Sequence, residues 1–486
     1  MRWTRSRCVS PKCVIVPILS LTVVLGLLLV PPALFAQTNT GGGNQGGGIG
    51  GNQGGGQGGG GVGGIWIDAK GVISATTVDS SKFSALDKKR REALAGEILP
   101  ADVNRPSALR KVSLVQLERY CQSFADNGEP LPLPAQFLAG LYQIDYLFVD
   151  EQRGDLILAG PADGFAPDEV GRMLTLESGR MPLRLDDLLV ALRTIRPGTV
   201  VGCSIDPVPE RLVALQQYLA RNSGPAPVSV GMSRYKEMSK VLGQQSIRVM
   251  GVPSDTHFAA AMVEADYRMK LISLGLERPP VKGMTSHLAL VRPGANSMQR
   301  WWFAPRYESI QTTPERNVFQ LVGPRCQLLS EQELVDASGN RSAAFNKIAR
   351  TEKFAQIVTE NFPELADTSP IFAELRNLFD IAVLTALIER EQLINRIGWL
   401  PGVFFDREQL IVNSTPAPTS VPTAFSYRRS GSRLIIGLIG GGVDLNPQQV
   451  LDRLPYSNDA ADQLAGQRIR GIVPPADAAP ELWWWD

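Results

Sequence analysis

"QSIRVMGVPSDTHFAAAMVEADYRMK", residues 245–270, decides the fold class. Its first part is a short extended run around Ile247 and Val249, which Gly251 and Pro253 break. From Phe258 onward the apolar residues Ala261, Met262, Ala265, Met269 and Ile272 recur at steps of three and four, the period of a helix with one core face. Glu264 with Arg268 and Asp266 with Lys270 are i,i+4 pairs in the favourable order, so the other face is expected to be charged and solvated. Ser254 or Asp255 is expected as the helix cap. A similar unit precedes it by about 45 residues: "TVVGCSI" at 199–205, then Asp206 as cap, Pro207 in first position, and Leu212, Leu215 and Leu219 along one face. Two consecutive strand-to-helix units predict a right-handed crossover and a partly parallel sheet.

The pieces around this centre extend the reading. Upstream, "GGIWIDAKGVISATTV" reads as a hairpin, and helices are expected over 82–99 and 107–124. "LYQIDYLFVDEQRGDLILAGPADG", 141–164, is two alternating runs around a turn, the clearest hairpin of the chain. Beyond Pro279, "RWWFAPRYESI", "NVFQLVG" and "CQLLS" are short strands, followed by helices over 342–361 and from Pro370 to about Ile397. In the last, Ile371, Leu375, Leu378, Phe379, Ala382, Val383, Ala386 and Leu387 make a stripe wide enough for a buried helix. "STPAPTSVPT", 414–423, cannot donate to a central sheet, and "SRLIIGLIGGGVDL" is a strand expected to meet a tight glycine turn. The fold class is therefore mixed α/β and α+β, a partly parallel sheet with crossover helices followed by a β-rich segment and long buried helices. The expected division is 65–278 for an α/β domain, 279–475 for an α+β domain and 476–486 for a tryptophan-rich tail.

The first 64 residues are of a different kind. Arg2, Arg5, Arg7 and Lys12 precede an apolar run from Val14 to Val30 and a small-residue stretch ending at Ala36, the pattern of a secretory signal at 1–36. The run of about 17 residues contains Pro17 and Gly26 and falls short of the roughly 20 a spanning helix needs, so cleavage is expected, with an uncleaved anchor as the alternative. Export to the periplasm or outside follows, with no membrane span in the mature chain. Residues 37–64, with 17 glycines from Gly41 to Gly64, form a disordered tether. Loss of the signal takes the formal net charge from +1 to about −3, which leaves no basic footprint for nucleic acid. It also leaves three cysteines, Cys121, Cys203 and Cys326, and room for at most one intramolecular disulfide.

In this order, "GIWIDAKGV", "LILAGPADGF", "LDDLLVALRT", "CSIDP", "GVPSDTHFAAAMVEADYRMKLISLGL", "RWWFAP", "PIFAELRNLFDIAVLTALI" and a late "GGGV" resemble a family of exported proteins from planctomycete bacteria, a domain of unknown function. The resemblance implies export and one large homologous region. It implies no activity and no catalytic residues.

Candidate chemistry gathers at strand ends, where ligands of open α/β sheets bind. Cys203, Ser204 and Asp206 lie at one such edge and Ser254, Asp255 and His257 at the next. A hydrolase would use His257, oriented by Asp255, to activate Ser204 or Cys203. Against this, alternation turns Cys203 inward with Val201 and Ile205, no nucleophile elbow surrounds Ser204, and capping explains Ser254 or Asp255. With His257 and His287 the sole histidines and no ligand spacing between them, no metal and no cofactor are expected. Trp302 in "RWWFAPRY" is the tryptophan expected on the outer face of its strand, a binding residue together with Asp206. The tail "LWWWD" either docks on the protein itself or meets a partner. The sequence thus points first to a non-catalytic exported protein that binds an envelope protein or polysaccharide, and second to the hydrolase.

Overall fold

In the computed structural model, the described residues are 85–486, except 170, 223–226, 292–297, 336–340, 344–348, 431–432 and 476–481, together with the paired strands Ile65–Ile67 and Ile73–Ala75. The signal and the glycine tether lie outside them.

Two large sheets carry the body. The first has the strand order Arg341–Ala343, Arg325–Val335, Met298–Arg306, Arg433–Leu445, Val201–Pro207, Gln244–Met250 and Ser420–Pro422, with Phe425–Ser430 paired beside the Arg433–Leu445 strand. The second runs Tyr456–Ser457, Ser309–Thr312, Val318–Val322, Tyr146–Asp150, Asp155–Ala162, Ser107–Ser113 and Trp484–Trp485. Both sheets combine strands from 65–278 and from 279–475, and the two ranges share one hydrophobic core.

The first sheet is partly parallel, but not where the two strand-to-helix units suggest. Met298–Arg306 runs parallel to Arg433–Leu445, whereas Val201–Pro207 and Gln244–Met250 are antiparallel neighbours. Two helices, Pro209–Arg221 and Val228–Leu242, separate the latter pair. One helix would carry the chain back to the start of a strand; two return it to the end it left, so the next strand must run the other way.

Other local expectations are redrawn by context. Ser107–Ser113 is a strand, and the helix begins only at Leu114, with Ser113 accepting from Gln116 N–H at 3.0 Å and Gly128 closing it at φ 67°. Arg341–Ala343 is a strand too, and the helix expected from 342 runs Ala349–Glu360. Asp206 lies within its strand, which continues to Pro207, and the cap position of the next helix falls on Val208. The glycine run 440–442 is no turn. Arg433–Leu445 passes straight through it, since a Cβ at Gly442 would sit 1.8 Å from the Cys203 carbonyl oxygen and one at Gly441 1.8 Å from that of Trp301. Ser420–Pro422 does pair, at the sheet edge where proline is tolerated.

The hairpin Tyr146–Asp150 with Asp155–Ala162 and the helix Pro370–Arg390 match their patterns, the helix being buried along Pro370–Ile388. It packs against His257–Leu274 and Leu185–Thr194, and His257–Leu274 also lies on the strands Val201–Pro207 and Arg433–Leu445. That helix has no solvated face. Asp266 and Lys270 form a fully buried pair at 2.6 Å, and Arg268 reaches Glu277 at 2.7 Å rather than Glu264. Among the described residues no helix is long and apolar enough to cross a membrane.

Candidate functional site

His257 opens its helix, but neither Ser254 nor Asp255 caps it. Thr256 does, its hydroxyl accepting from Ala259 N–H at 3.3 Å while donating to the Pro253 carbonyl at 2.7 Å. Ser254 and Asp255 have exposed side chains, and their carbonyls accept from Ala417 N–H and Thr415 N–H of the proline-rich loop. The acid beside His257 is therefore not Asp255.

Two other carboxylates hold the imidazole. Nδ1 lies 3.0 Å from Asp187, in the first turn of Leu185–Thr194, and Nε2 lies 3.0 Å from Glu374 of Pro370–Arg390. All three side chains are buried. Burial and the positive end of the helix both oppose charge on the ring, yet two carboxylates in contact outweigh them and raise His257 to about 10. His257 is an imidazolium, hydrogen-bonded through Nδ1 to Asp187 and in ion-pair contact through Nε2 with Glu374. It holds three helices together and has no lone pair with which to take a proton.

Ser204 does not join it. Residues paired across a sheet share a face, and successive residues alternate. Cys203, Ile205, Val443, Trp301 and Phe303 form the buried face, on which the charges of Asp266 and Lys270 are felt at Cys203. Ser204, Asp206, Arg300 and Trp302 occupy the opposite one. The dyad of His257 with Ser204 is thus ruled out by geometry twice, by the ring's partners and by the serine's face. Cys121, Cys203 and Cys326 are all buried free thiols, and burial pushes all three up, Cys121 to about 12, which keeps them unreactive.

The two residues expected to bind do come together. Arg300 pairs with Asp206 at 3.4 Å and lies 3.6 Å from Glu331, and its guanidinium stacks 4.5 Å from the Trp302 ring centroid. The Trp302 indole N–H donates to Glu331 at 3.3 Å. This half-buried cluster, with Arg248 exposed beside Ser204 in the neighbouring strand, gives the outer face its polar character.

Sequence reasoning missed Asp187 and Glu374. The signal was available, since each is an acid inside an otherwise apolar helical run, "LDDLLVALRT" and "PIFAELRNLF". Near them, Glu264 faces Arg268, Glu374, Arg172 and His257, and burial raises it to about 8. His287 is different. It packs edge-on to Trp301 and Phe354, and burial lowers it to about 4, so it stays neutral. Among the described residues no group of three or more His, Cys, Asp or Glu side chains is arranged to hold a metal.

Residues 203–287 match a protein family described as a protein of unknown function, DUF1598. Among curated proteins and among solved structures, nothing matches this chain. The matched stretch begins on the Val201–Pro207 strand and ends at His287, so it contains both histidines but neither carboxylate that holds His257.

Proposed function

We propose that this chain is an exported, non-catalytic protein that binds another component of a bacterial cell envelope, protein or polysaccharide. The observation that carries this reading is the double engagement of His257. The side chain best suited by type to acid–base chemistry is instead a buried cation between Asp187 and Glu374. The secretory pattern of residues 1–36 and the glycine tether support export. The Asp206–Arg300–Trp302–Glu331 cluster supports contact through the outer face of the first sheet, because stacked arginine and tryptophan are the side chains most often found at the energetic centre of an interface.

The test has two arms. Mature protein immobilised on beads is exposed to envelope extract and to purified envelope polysaccharide, beside the Arg300→Ala and Trp302→Ala variants. Retention by wild type and loss of about tenfold or more in a variant is the expected result. In parallel, ester, peptide and glycoside substrates are screened with wild type and His257→Ala. Turnover by wild type that His257→Ala abolishes, with the fold intact, refutes the non-catalytic reading.

A further inference from the structure

The last strand reaches the second sheet from the end of the sequence. Trp484 and Trp485 lie antiparallel to Val112 and Lys111, and Ser113 N–H donates to the Trp483 carbonyl at 2.8 Å. The tryptophans divide between the two faces. Trp484 joins the main core, whereas Trp485 packs with Phe148, Ile157 and Leu464 on the other side and donates its indole N–H to the Gly471 carbonyl at 3.0 Å. Trp483 sits 5.8 Å from Tyr120.

Arg110, in the Ser107–Ser113 strand alongside, is fully buried. Its Nη1 donates to the carbonyls of Val103 and Ala139, and its Nε and Nη2 take the two carboxylate oxygens of Asp486 at 2.8 and 3.0 Å. The same guanidinium lies 4.6 Å from the Trp484 ring centroid. Charge, two indole seats on opposite faces and a strand edge are thus matched by five residues, Leu482–Asp486. Without them Ser107–Ser113 would be an open sheet edge above a buried arginine, a template for another strand.

We propose that the Ser107–Ser113 edge is a docking groove for an extended segment of aromatic residues ending in an acid, filled by the chain's own Leu482–Asp486 and open to the same segment from a second copy. A second copy is the occupant that reproduces every contact, because it brings the identical tryptophans and the carboxylate that Arg110 requires. Such an exchange needs no new interface. The tethered tail competes at an effective concentration of about millimolar, so occupancy by a second copy grows with protein concentration.

A protease site placed within 476–481 of the full chain tests the groove. After cleavage, a fluorescent peptide Leu-Trp-Trp-Trp-Asp is added. The expected result is saturable exchange into the protein, weaker by at least about tenfold for the peptide ending in Asn and lost in Arg110→Met. Failure to exchange, or equal binding of both peptides, overturns the groove. If the cut protein unfolds, the uncut Asp486→Asn variant answers the same question through hydrogen exchange at the Ser113 amide, which donates to the Trp483 carbonyl. Faster exchange than wild type is expected, and unchanged protection overturns it. For the second copy, the uncut wild type is followed by light scattering over a concentration series. Dimers that grow with concentration and shrink in Asp486→Asn are expected, while monomers throughout overturn that occupant.

Discussion

Replacing His257 by leucine should remove a pH-dependent share of stability and leave two buried carboxylates without their cation. Two routes give its size. Losing one partner of a buried ion pair costs about 3–5 kcal/mol. Independently, His257 is raised from 6.5 to about 10, and at about 1.4 kcal/mol per unit that difference corresponds to about 5 kcal/mol. The sign follows from the direction of the shift. Between 6.5 and about 10 the folded chain holds a proton that the unfolded chain has released, so the contribution is complete below 6.5 and disappears as pH rises to about 10. Glu264, raised from 4.5 to about 8, loses stability in the same direction between those values, and because the His257 charge holds it lower, the change specific to the clamp is the one above pH 8. The informative quantity is therefore the gap between wild type and His257→Leu, measured by urea unfolding at several pH values from 6 to 9.5. It should be about 3–5 kcal/mol at pH 6 and shrink steadily toward the alkaline end. A gap that is constant over this range, or below about 1 kcal/mol at pH 6, would refute the picture of a charged clamp.

Further outcomes are expected elsewhere. Glu118 accepts from Trp399 Nε1 at 2.7 Å and from the N–H groups of Gly402 and Phe404 at 2.8 and 2.9 Å, so Glu118→Gln should cost about 2–3 kcal/mol and open the segment 399–410 to limited proteolysis. Arg193 holds the same segment through four carbonyls, those of Val403, Phe404, Asp406 and Leu410, and Arg193→Lys should reproduce the proteolytic phenotype because an ammonium cannot span them. Cys121, Cys203 and Cys326 should resist a thiol reagent in the native state and all react in denaturant, with or without reductant beforehand. Asp255→Ala should shift stability by no more than about 0.5 kcal/mol in the same urea assay, since its side chain is exposed.

Elements set by local pattern are legible in the sequence. The 141–164 hairpin and the buried helix from Pro370 announce themselves through period and turn residues within a few positions. The errors arise where distant residues decide. Ser107–Ser113 steps like a helix in sequence, but a neighbouring strand on each side, one of them from the end of the chain, holds it extended. The glycines at 440–442 signal a turn until the carbonyls of Cys203 and Trp301 are seen pressing against the strand. The charges of 257–274 look solvated because their burial depends on Pro370–Arg390, and the partners of His257 lie in two helices remote from it in sequence. Asp206 and Trp302 met through Arg300, a contact between strands that no spacing encodes.

The stretch 203–287 is recognisable as a unit, yet it is not one that stands alone. Its first strand needs Gly441–Leu445 alongside, and its central helix needs acids contributed from before and after it. Expressed separately, it would have a bare sheet edge and a buried cation facing water. What the family match picks out can therefore be a motif of sequence without being a module of folding, and any experiment on it has to be done on the whole chain.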